Sequence, residues 1–358
     1  MSDRAQSNHS RVMIMAGGTG GHVFPALAVA EILMANNVDV SWLGTRKGIE
    51  SQLIPQRGID LNYLNIEGLR GRGLFALLRA PFKLLSSVLQ ACSVISQFNP
   101  SVVLGMGGFA SGPGAVAAKL KGIPLVIHEQ NSVAGTTNKL SAKLATKIMQ
   151  GFPNTFKQAE WCGNPIRSEI AALHHDSDRL VNRSGPLRVL VLGGSRGALA
   201  INKIIPRALA AIDSQYRPEV LHQVGDKHLE LTQNLYLEQG HDINSSAISI
   251  VPFIDKMDQA YAWADFVICR SGALTVAELT AVGLGAFLIP FPFAIDDHQT
   301  VNGQWLVDSG AAEMLSESNL TAEKLADYIK QIANNRDQCI AMSQCAKTIA
   351  KLGAAERV

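Results

Sequence analysis

The sequence predicts an α/β fold built from two parallel-sheet domains in tandem. Short β-branched apolar runs alternate with helical patterns along most of the chain, which is typical of βαβ units with right-handed crossovers. A glycine-rich loop follows the first strand of each half. The chain of 358 residues is also long for a single hydrophobic core, so two domains fit better than one.

Each half of the chain has its own run of strands. The first-half candidates are Val12–Ala16, Val38–Leu43, Leu61–Ile66, Val102–Leu104, Leu125–His128 and Lys147–Gln150. Helical patterns separate them at 23–35, 48–56, 74–97, 112–121 and 132–144. The second-half candidates are Leu187–Leu192, Glu219–Val224, Ala247–Val251, Phe266–Cys269 and Ala286–Ile289. We therefore expect two Rossmann-like domains that face a cleft.

The domain boundary is marked by a change in composition. Gly163–Arg167 and the polar stretch His174–Gly185 are typical of linkers. We expect an N-terminal domain at 1–166 and a C-terminal domain at 167–340. The last segment, about 341–358, is expected to pack back on the first domain.

Charge is distributed unevenly between the two halves. Residues 1–165 contain 15 lysines and arginines and 8 aspartates and glutamates, a net charge of +7 in a chain of net charge +2. Between 68 and 159, ten basic residues accompany a single acid, Glu129. This pattern indicates an anionic partner, which is a phosphorylated ligand, a lipid surface or a nucleic acid.

Composition also limits the compartment. Five scattered cysteines without a Cys-x-x-Cys pair predict a reducing environment, with neither a disulfide framework nor a zinc site. The polar start lacks the apolar core of a signal peptide. No run approaches the roughly 20 apolar residues that span a bilayer. These features predict a cytoplasmic protein.

The glycine loops predict phosphate binding. Gly17–His22 and Gly193–Gly197 each join a strand to a helix, whose first N–H groups and positive dipole end favour phosphate. The first loop lacks the third glycine of the dinucleotide fingerprint and the next strand lacks a terminal acid, which disfavours NAD. Neither loop has a P-loop lysine, which disfavours ATPase chemistry. A third loop, with Gly107 and Gly108, predicts another anion-binding turn in the first domain.

Several polar residues are candidates for chemistry. His22 begins a helix beside phosphate-type donors, where a neutral imidazole can act as a general base. Glu129 closes a strand at the sheet edge that binds ligands, and it either acts as a base, orients a ligand or forms a salt bridge. Asp176-Ser-Asp178 matches a metal-binding Asp-x-Asp pair, but its polar linker favours a solvated loop. We expect no metal.

A serine hydrolase is the rival enzyme class. The second loop fits the Gly-x-Ser-x-Gly nucleophile elbow with Ser195, and Asp265 or Asp296 followed by His298 would complete a triad. This interpretation leaves the first loop and His22 without a role, so we favour an enzyme of phosphorylated ligands.

The segment 68–85 is both apolar and basic. Its large apolar residues alternate with Arg70, Arg72, Arg79 and Lys83, a composition typical of a segment that lies on an anionic membrane surface. The alternative is a crossover helix with one buried side. Large apolar residues occupy too many successive positions for one buried face, so we expect both uses.

Seven ordered motifs resemble the MurG family, the bacterial UDP-N-acetylglucosamine transferases of peptidoglycan synthesis. They are Gly17–His22, Gly105–Gly108, His128–Asn131, Gly163–Arg167, Gly193–Ser195, Arg270–Thr275 and Asp297–Gln299, and they span nearly the whole chain. The resemblance implies a GT-B fold without a cofactor or a required metal, and a role in cell-wall biogenesis, cell shape and cell division. It also implies a peripheral protein on the cytoplasmic face of the inner membrane.

The implied reaction passes GlcNAc from UDP-GlcNAc to the C4 hydroxyl of MurNAc in lipid I, the undecaprenyl-diphosphate-linked MurNAc-pentapeptide, with inversion to give lipid II. His22 is the first candidate base and Glu129 the second. The implied UDP-GlcNAc contacts are Thr19, Gly20, Gly21, Asn131, Arg167, Ser195 (diphosphate), Ile254 (uracil), Ala273, Leu274, Thr275, Val276, Ala277, Glu278 (ribose) and Gln299 (GlcNAc). The implied lipid contacts are Gly18, Gly107 and Gly108 for the acceptor diphosphate, and Phe75, Leu78, Arg79, Phe82 and Lys83 for anionic inner-membrane lipids. No nucleic acid partner is expected.

Two positions depart from the family pattern. Arg196 stands where the family usually has glutamine, so it either adds a charge near the diphosphate or points to solvent. The sequence stops at Val358, where family members continue a closing helix. A non-catalytic nucleotide-sugar binding module is the third interpretation, and turnover of a lipid I analogue would distinguish it from the transferase.

Overall fold

The chain forms two compact units. The computed structural model describes residues 10–66, 74–175, 179–181, 183–194 and 197–358, with the side chains of the helix at Leu74–Phe98 described from residue 80. One unit contains the chain up to Arg167 together with Gly353–Val358, and the other contains Ser168–Leu352. Each unit has one sheet, and every described strand pair is parallel.

The first unit has a seven-stranded sheet with the order β3-β2-β1-β4-β5-β6-β7. Its strands are β1 (Arg11–Ala16), β2 (Asp39–Gly44), β3 (Asp60–Tyr63), β4 (Val102–Gly107), β5 (Leu125–Glu129), β6 (Lys147–Gln150) and β7 (Glu160–Trp161). Its helices are α1 (Gly20–Ala35), α2 (Glu50–Gln56), α3 (Leu74–Phe98), α4 (Ser111–Leu120), α5 (Thr136–Ser141) and, at the end of the chain, α14 (Ala354–Arg357).

The centre of this sheet is buried on both faces. Met13 and Met15 of β1 pack in one apolar cluster, while the alternate residues Ile14 and Ala16 pack in the other. This two-sided burial explains why the strand is a continuous apolar run rather than an alternating one. The second cluster also contains Ala355, which brings α14 against α1.

The second unit has a six-stranded sheet with the order β10-β9-β8-β11-β12-β13. Its strands are β8 (Arg188–Leu192), β9 (Glu219–Gln223), β10 (Ile248–Val251), β11 (Phe266–Cys269), β12 (Gly285–Leu288) and β13 (Ala312–Met314). Its α-helices are α6 (Ser168–Ala172), α7 (Leu199–Ala210), α8 (Leu229–Glu238), α9 (Met257–Trp263), α10 (Ala273–Val282), α11 (His298–Asp308), α12 (Ala322–Asn334) and α13 (Arg336–Thr348). Short 3-10 turns lie at Leu173–His175, Ser214–Tyr216, Asp226–His228, Ile295–Asp297 and Glu317–Asn319.

Two of the helix ends show ordinary capping chemistry. The Thr321 hydroxyl accepts the Lys324 amide at 3.3 Å and begins α12. Gly283, with φ of +68°, ends α10 in the left-handed conformation that glycine adopts without strain.

The predicted α/β class and all predicted strands are confirmed, with three corrections. The short edge strands β7 and β13 are additional, and α5 is much shorter than the helix expected at 132–144. The return to the first unit begins at Gly353 rather than near residue 341. The reason is that α13 buries Cys339 and Met342 in the core of the second unit.

The strand order places a site in each unit. Connections run in opposite directions from β1 and β4, and likewise from β8 and β11. The carboxyl ends of strands at such a switch point form the usual ligand crevice of an open α/β sheet. Gly17–His22 and Gly107–Gly108 lie at the first switch point, and Gly193–Gly197 and Arg270–Thr275 lie at the second.

Candidate active site

In the first unit, two glycine loops are in direct contact. A Cβ at Gly108 would overlap the carbonyl oxygen of Gly17 and lie 2.9 Å from its nitrogen. A Cβ at Gly107 would lie 2.8 Å from His22 Nδ1. Both Gly107 and Gly108 also have φ near +100°, where a side chain is strained. Only glycine therefore permits this approach, which places the third loop against His22.

A buried carboxylate holds the first loop. Glu50 Oε2 accepts the Gly18 amide at 2.9 Å, and Oε1 accepts the Thr45 amide and hydroxyl at 2.9 and 2.8 Å. The Gly18 N–H group is thus used within the protein, and the contact of Gly18 with the acceptor diphosphate stays a prediction. Thr19 is the exposed N-cap of α1, and Gly20 and Gly21 form the start of its first turn, where amides lack intrahelical acceptors.

His22 contacts a buried amide rather than a carboxylate. Its Nδ1 lies 2.9 Å from Gln130 Oε1, and the ring is half-buried in the first turn of α1. Gln130 in turn contacts His128, whose pKa is lowered to about 4 because burial penalises its charged form. The guanidinium of Arg167 lies 5.9 Å from the ring centroid of Phe24. Phe24 is on α1, the helix that also carries His22.

Glu129 organises the loop that follows β5. One oxygen accepts the Asn131 amide at 2.9 Å and its side chain at 3.2 Å. The other accepts the Gly135 amide at 3.0 Å and Asn138 Nδ2 at 2.9 Å. The side chain is 1% exposed. These four bonds explain why α5 begins only at Thr136, and they give Glu129 and Asn131 a shared structural role.

The glycine loop of the second unit is also tightly packed. A Cβ at Gly197 would overlap the carbonyl oxygen of Val224, and one at Gly193 would lie 2.9 Å from the Ala198 nitrogen. Gln223 Nε2 donates to the carbonyl of Gly194 at 3.1 Å. The predicted diphosphate residue Ser195, its neighbour Arg196 and the Asp176–Asp178 pair lie outside the described residues.

Six of the predicted UDP-GlcNAc contacts lie in the first two turns of α10. Ala273, Leu274 and Thr275 form its first turn, so their amides have no intrahelical acceptor, and Val276 and Ala277 follow. Glu278 lies one turn along, where its Oε2 accepts the hydroxyl of buried Tyr261 at 2.9 Å. Tyr261 was not predicted from the sequence.

Three further residues from the sequence motifs and predicted contacts of this unit are Gln299, Arg270 and Ile254. Gln299 Oε1 accepts the Phe291 amide at 2.9 Å, which ties α11 to the loop after β12. Arg270 donates to the carbonyls of Ile289 and Pro290 at 3.0 and 2.9 Å and pairs with Glu317. Ile254 lines a groove of about 330 Å³ with Leu221, Val251, Phe253, Lys256, Gln259, Ala260 and Trp263.

The arrangement does not support a triad with Asp265. This buried carboxylate pairs with Arg183 and Arg336 and accepts the Arg188 amide at 2.9 Å. Asp265 precedes β11 and Arg188 begins β8, so both lie at the amino edge of the sheet, whereas Gly193 and Gly194 follow the carboxyl end of β8. His298 uses Nδ1 on the carbonyl of Ile295.

The predicted membrane residues lie in α3. Phe82 is 77% exposed and Lys83 is exposed, while the side chains of Phe75, Leu78 and Arg79 lie outside the described part. Within the part of the chain that the structure describes, no helix is long and apolar enough to cross a membrane. No group of three His, Cys, Asp or Glu side chains among the described residues is arranged to hold a metal ion.

The comparisons with known proteins assign the family. Residues 12–150 match the glycosyltransferase family 28 N-terminal domain, and residues 188–358 match the corresponding C-terminal domain. The chain therefore belongs to glycosyltransferase family 28. The predicted fold class, with two Rossmann-like domains of the GT-B class, is confirmed.

Close relatives narrow the class. A protein from Nitrosococcus oceani is 50% identical over 351 residues, covering 97% of this chain and 96% of the relative. A protein from Shewanella loihica is 50% identical over 353 residues, covering 98% and 96%. Both are named UDP-N-acetylglucosamine–N-acetylmuramyl-(pentapeptide) pyrophosphoryl-undecaprenol N-acetylglucosamine transferase.

Solved structures agree with this assignment. The crystal structure of Acinetobacter baumannii MurG matches with a TM-score of 0.82 and 39% identity over 97% of each chain. The spinosyn rhamnosyltransferase SpnG matches with a TM-score of 0.66 at 16% identity, which is a likeness of fold alone. The predicted membership of the MurG family is confirmed, and the hydrolase and the binding module lose their support.

Proposed function

We propose that this chain transfers N-acetylglucosamine from UDP-GlcNAc to the C4 hydroxyl of MurNAc in lipid I, giving lipid II for peptidoglycan synthesis. The observation that carries the proposal is the 50% identity, over 97% of the chain, to a relative named for this transfer. The first turns of α1 and α10, each beside a glycine loop, supply the kind of donors that a diphosphate requires.

The second unit provides the donor site in this proposal. The first amides of α10 and the loop at Gly193–Gly197 stabilise the negative charge that grows on UDP as it departs. Glu278, held by Tyr261, accepts hydrogen bonds from the ribose hydroxyls. Gln299 retains its amide nitrogen for the GlcNAc hydroxyls while its oxygen accepts the Phe291 amide. The groove beside Ile254 receives the uracil.

His22 is the catalytic base of the proposed reaction. Both oxygens of Glu129 are engaged by the loop that it organises, whereas His22 has one ring nitrogen bonded to Gln130 and a second nitrogen for the substrate. His22 takes the proton from the C4 hydroxyl as that oxygen bonds to the anomeric carbon. The bond from that carbon to the UDP oxygen breaks on the opposite face, so the configuration inverts to β.

The test is turnover of UDP-GlcNAc with a soluble lipid I analogue. We expect lipid II-type product and release of one UDP per transfer. His22→Gln is expected to lower kcat by about 10²- to 10⁴-fold, the usual contribution of a general base, with an unchanged KM for UDP-GlcNAc. A protein that binds UDP-GlcNAc without forming product would be a binding module. Covalent labelling of Ser195 by a serine-directed phosphonate would instead support a hydrolase.

The first unit also carries the proposed membrane surface. Phe82, Leu85 and Leu89 are exposed on α3 at the spacing of one helix face. The neighbouring helices present Leu120 and Leu140, and exposed lysines lie at positions 83, 119, 121, 139 and 143. Glu129, the single acid between 68 and 159, is buried and so is not part of this surface. This combination favours peripheral binding to anionic lipids at the cytoplasmic face of the inner membrane.

Vesicle binding tests this surface. Replacing Phe82, Leu85 and Leu89 together by serine is expected to reduce binding to vesicles of phosphatidylglycerol while turnover of the soluble analogue is retained. Serine at the exposed Leu231 and Leu237 of the second unit is the matched control and is expected to bind like the unmodified protein. Equal binding by the α3 variant would contradict the proposal.

A further inference from the structure

A chain of hydrogen bonds connects His22 to a backbone carbonyl through two buried side chains. His128 Nε2 lies 2.9 Å from the carbonyl oxygen of Gly163. Gln130 Nε2 lies 3.2 Å from His128 Nδ1 and 3.1 Å from the His128 carbonyl oxygen. Gln130 Oε1 then lies 2.9 Å from His22 Nδ1. His128 and Gln130 are at most 1% exposed, so the chain is shielded from water.

The carbonyls at this chain fix the position of every proton. Gly163 O can only accept, so His128 carries its proton on Nε2 and has a lone pair on Nδ1. That lone pair requires a donor, and the amide nitrogen of Gln130 lies 3.2 Å from it. The same nitrogen lies 3.1 Å from the His128 carbonyl oxygen, which also accepts Asn138 Nδ2 at 3.2 Å. The opposite amide orientation would place its oxygen 3.1 Å from another acceptor. The Gln130 oxygen therefore faces His22, and Nδ1 of His22 must donate to it.

We propose that Gln130, oriented by His128, is a positioning residue that holds neutral His22 as its Nδ1–H tautomer and leaves the lone pair on Nε2. The inference rests on the proposed role of His22 as the base. The C4 hydroxyl gives its proton to Nε2 as its oxygen bonds to the anomeric carbon, and the electron pair of the broken bond leaves with UDP. The Nδ1 proton stays on His22 and remains hydrogen-bonded to the Gln130 oxygen throughout, so the ring does not turn during the reaction.

The neutral amide suits its buried surroundings. A carboxylate at position 130 would bring a charge beside buried His128 and would oppose the His128 carbonyl oxygen. The ordinary low pKa of a carboxyl would also remove the donor that His128 Nδ1 needs. Glutamine supplies an acceptor at one end and donors at the other without any charge. The hydrogen bonds through His128 and Gln130 therefore determine which nitrogen of His22 carries the proton, without placing a charge at position 130.

The direct test is ¹⁵N NMR of protein labelled in histidine, with the His22 signal assigned by its loss in His22→Gln. We expect His22 to be protonated on Nδ1 and unprotonated on Nε2 at neutral pH. In Gln130→Met, which keeps the length of the side chain without its polar atoms, we expect a mixture of both tautomers. An unmodified protein with its proton on Nε2, or a Gln130→Met spectrum that is unchanged, would overturn the proposal.

The kinetic test separates positioning from stability. We expect Gln130→Met to lower kcat by at least about 10-fold, below the full contribution of a general base, with KM for UDP-GlcNAc changed less than twofold. Gln150→Met is the matched control, because Gln150 is buried at the end of the neighbouring strand and accepts the Phe156 amide at 2.8 Å. We expect it to lose stability but keep kcat. Equal kcat losses in the two variants would contradict a positioning role.

The two proposals fail in different ways. Full turnover by His22→Gln would remove His22 as the base, while the NMR spectrum would still report its tautomer. An inactive His22→Gln together with a Gln130→Met of normal kcat would keep the base and remove the role of Gln130.

Discussion

Glu50 accepts the amide of Gly18 at 2.9 Å, which ties the first glycine loop to the start of α2. The same carboxylate accepts two bonds from Thr45, so the ends of β1 and β2 are held by one buried acid. Within the described residues, no lysine or arginine forms an ion pair with it. The loop beside His22 is therefore shaped by a side chain that need not contact a substrate.

Glu50→Gln tests this contact. The variant places an NH₂ group against a donor, either Gly18 N–H or Thr45, and leaves a buried donor unpaired. We expect unfolding free energy to fall by about 1–3 kcal/mol, the usual cost of such a group, and KM for the lipid analogue to rise. Glu31→Gln is the control, because Glu31 forms an exposed ion pair with Arg57 that is expected to contribute at most about 1 kcal/mol. Equal losses in both variants would contradict the prediction.

Gly108→Ala tests the contact between the glycine loops. Gly122 has a similar left-handed φ of +68° but open space around its Cβ position, so Gly122→Ala isolates the backbone strain of about 1–2 kcal/mol. Gly108→Ala carries that strain and also collides with Gly17, so its loss of stability in chemical denaturation is expected to exceed that of Gly122→Ala. Activity is expected to fall only in the Gly108 variant. If the two alanines cost the same, the loops are not in the described contact.

Glu129→Gln separates a loop anchor from a base. The replacement puts a donor where Glu129 now accepts the amides of Asn131, Gly135 or Asn138, so we expect a lower thermal midpoint and a loss of about 1–3 kcal/mol. Glu160→Gln, at an exposed pair with Lys147, is the control and is expected to keep its midpoint. A Glu129→Gln variant that is inactive but fully stable would favour Glu129 as the base.

Tyr261→Phe tests the support of the proposed ribose contact. Loss of one hydroxyl bond to Glu278 is expected to raise KM for UDP-GlcNAc about fivefold, equivalent to about 1 kcal/mol, with kcat within twofold. Tyr328→Phe is a sharp control, because the buried Tyr328 hydroxyl has no hydrogen-bond partner among the described residues. That variant is expected to keep its KM. A normal KM in Tyr261→Phe would count against Glu278 as the ribose residue.

Stability is expected to fall in mild acid. Burial lowers the pKa of His128 to about 4 and that of His222 to about 3, whereas both titrate near 6.5 when unfolded. Below pH 6.5 these two histidines bind protons in the unfolded chain but not in the folded chain. The stabilisation is therefore complete above pH 6.5 and is lost as the pH falls to about 4 for His128 and about 3 for His222, by about 1.4 kcal/mol per pH unit for each histidine.

Thermal midpoints between pH 7.5 and 4.5 measure this dependence. His222→Gln is expected to reduce the slope, while glutamine at the exposed His175 is expected to leave it unchanged. A slope that His222→Gln does not alter would show that other groups control acid stability.

The fold could be predicted because its signals are local. Strands such as β1 and β8 are buried on both faces and are therefore short continuous apolar runs, which the sequence displays directly. The edge strands β7 and β13 have only two and three residues, too few to show a pattern. The late return of the chain at Gly353 depends on the burial of α13, which is a tertiary contact that no local pattern indicates.

The site was only partly predictable, because some of its contacts join residues that are far apart in sequence. The glycine loops and His22 follow strands directly, so their placement comes from topology alone. In the sequence, Glu50 resembles an ordinary acid in the first turn of a helix. Gln130 is an uncharged side chain between Glu129 and Asn131, so nothing in its residue type indicates a role. Their partners are 32 and 108 residues away in sequence, so only the folded chain reveals what they do.

The contact between Gly17 and Gly108 limits how this protein can be re-engineered. A Cβ at Gly108 would collide with the backbone of Gly17, and a Cβ at Gly17 would lie 2.5 Å from Glu50 Oε1, so a side chain at either position only adds collision. Selection for a different acceptor is thus expected to leave both glycines intact. A mutant library is better built at the exposed neighbours Thr19 and Phe109, where side-chain size and polarity can change without disturbing the contact between the loops.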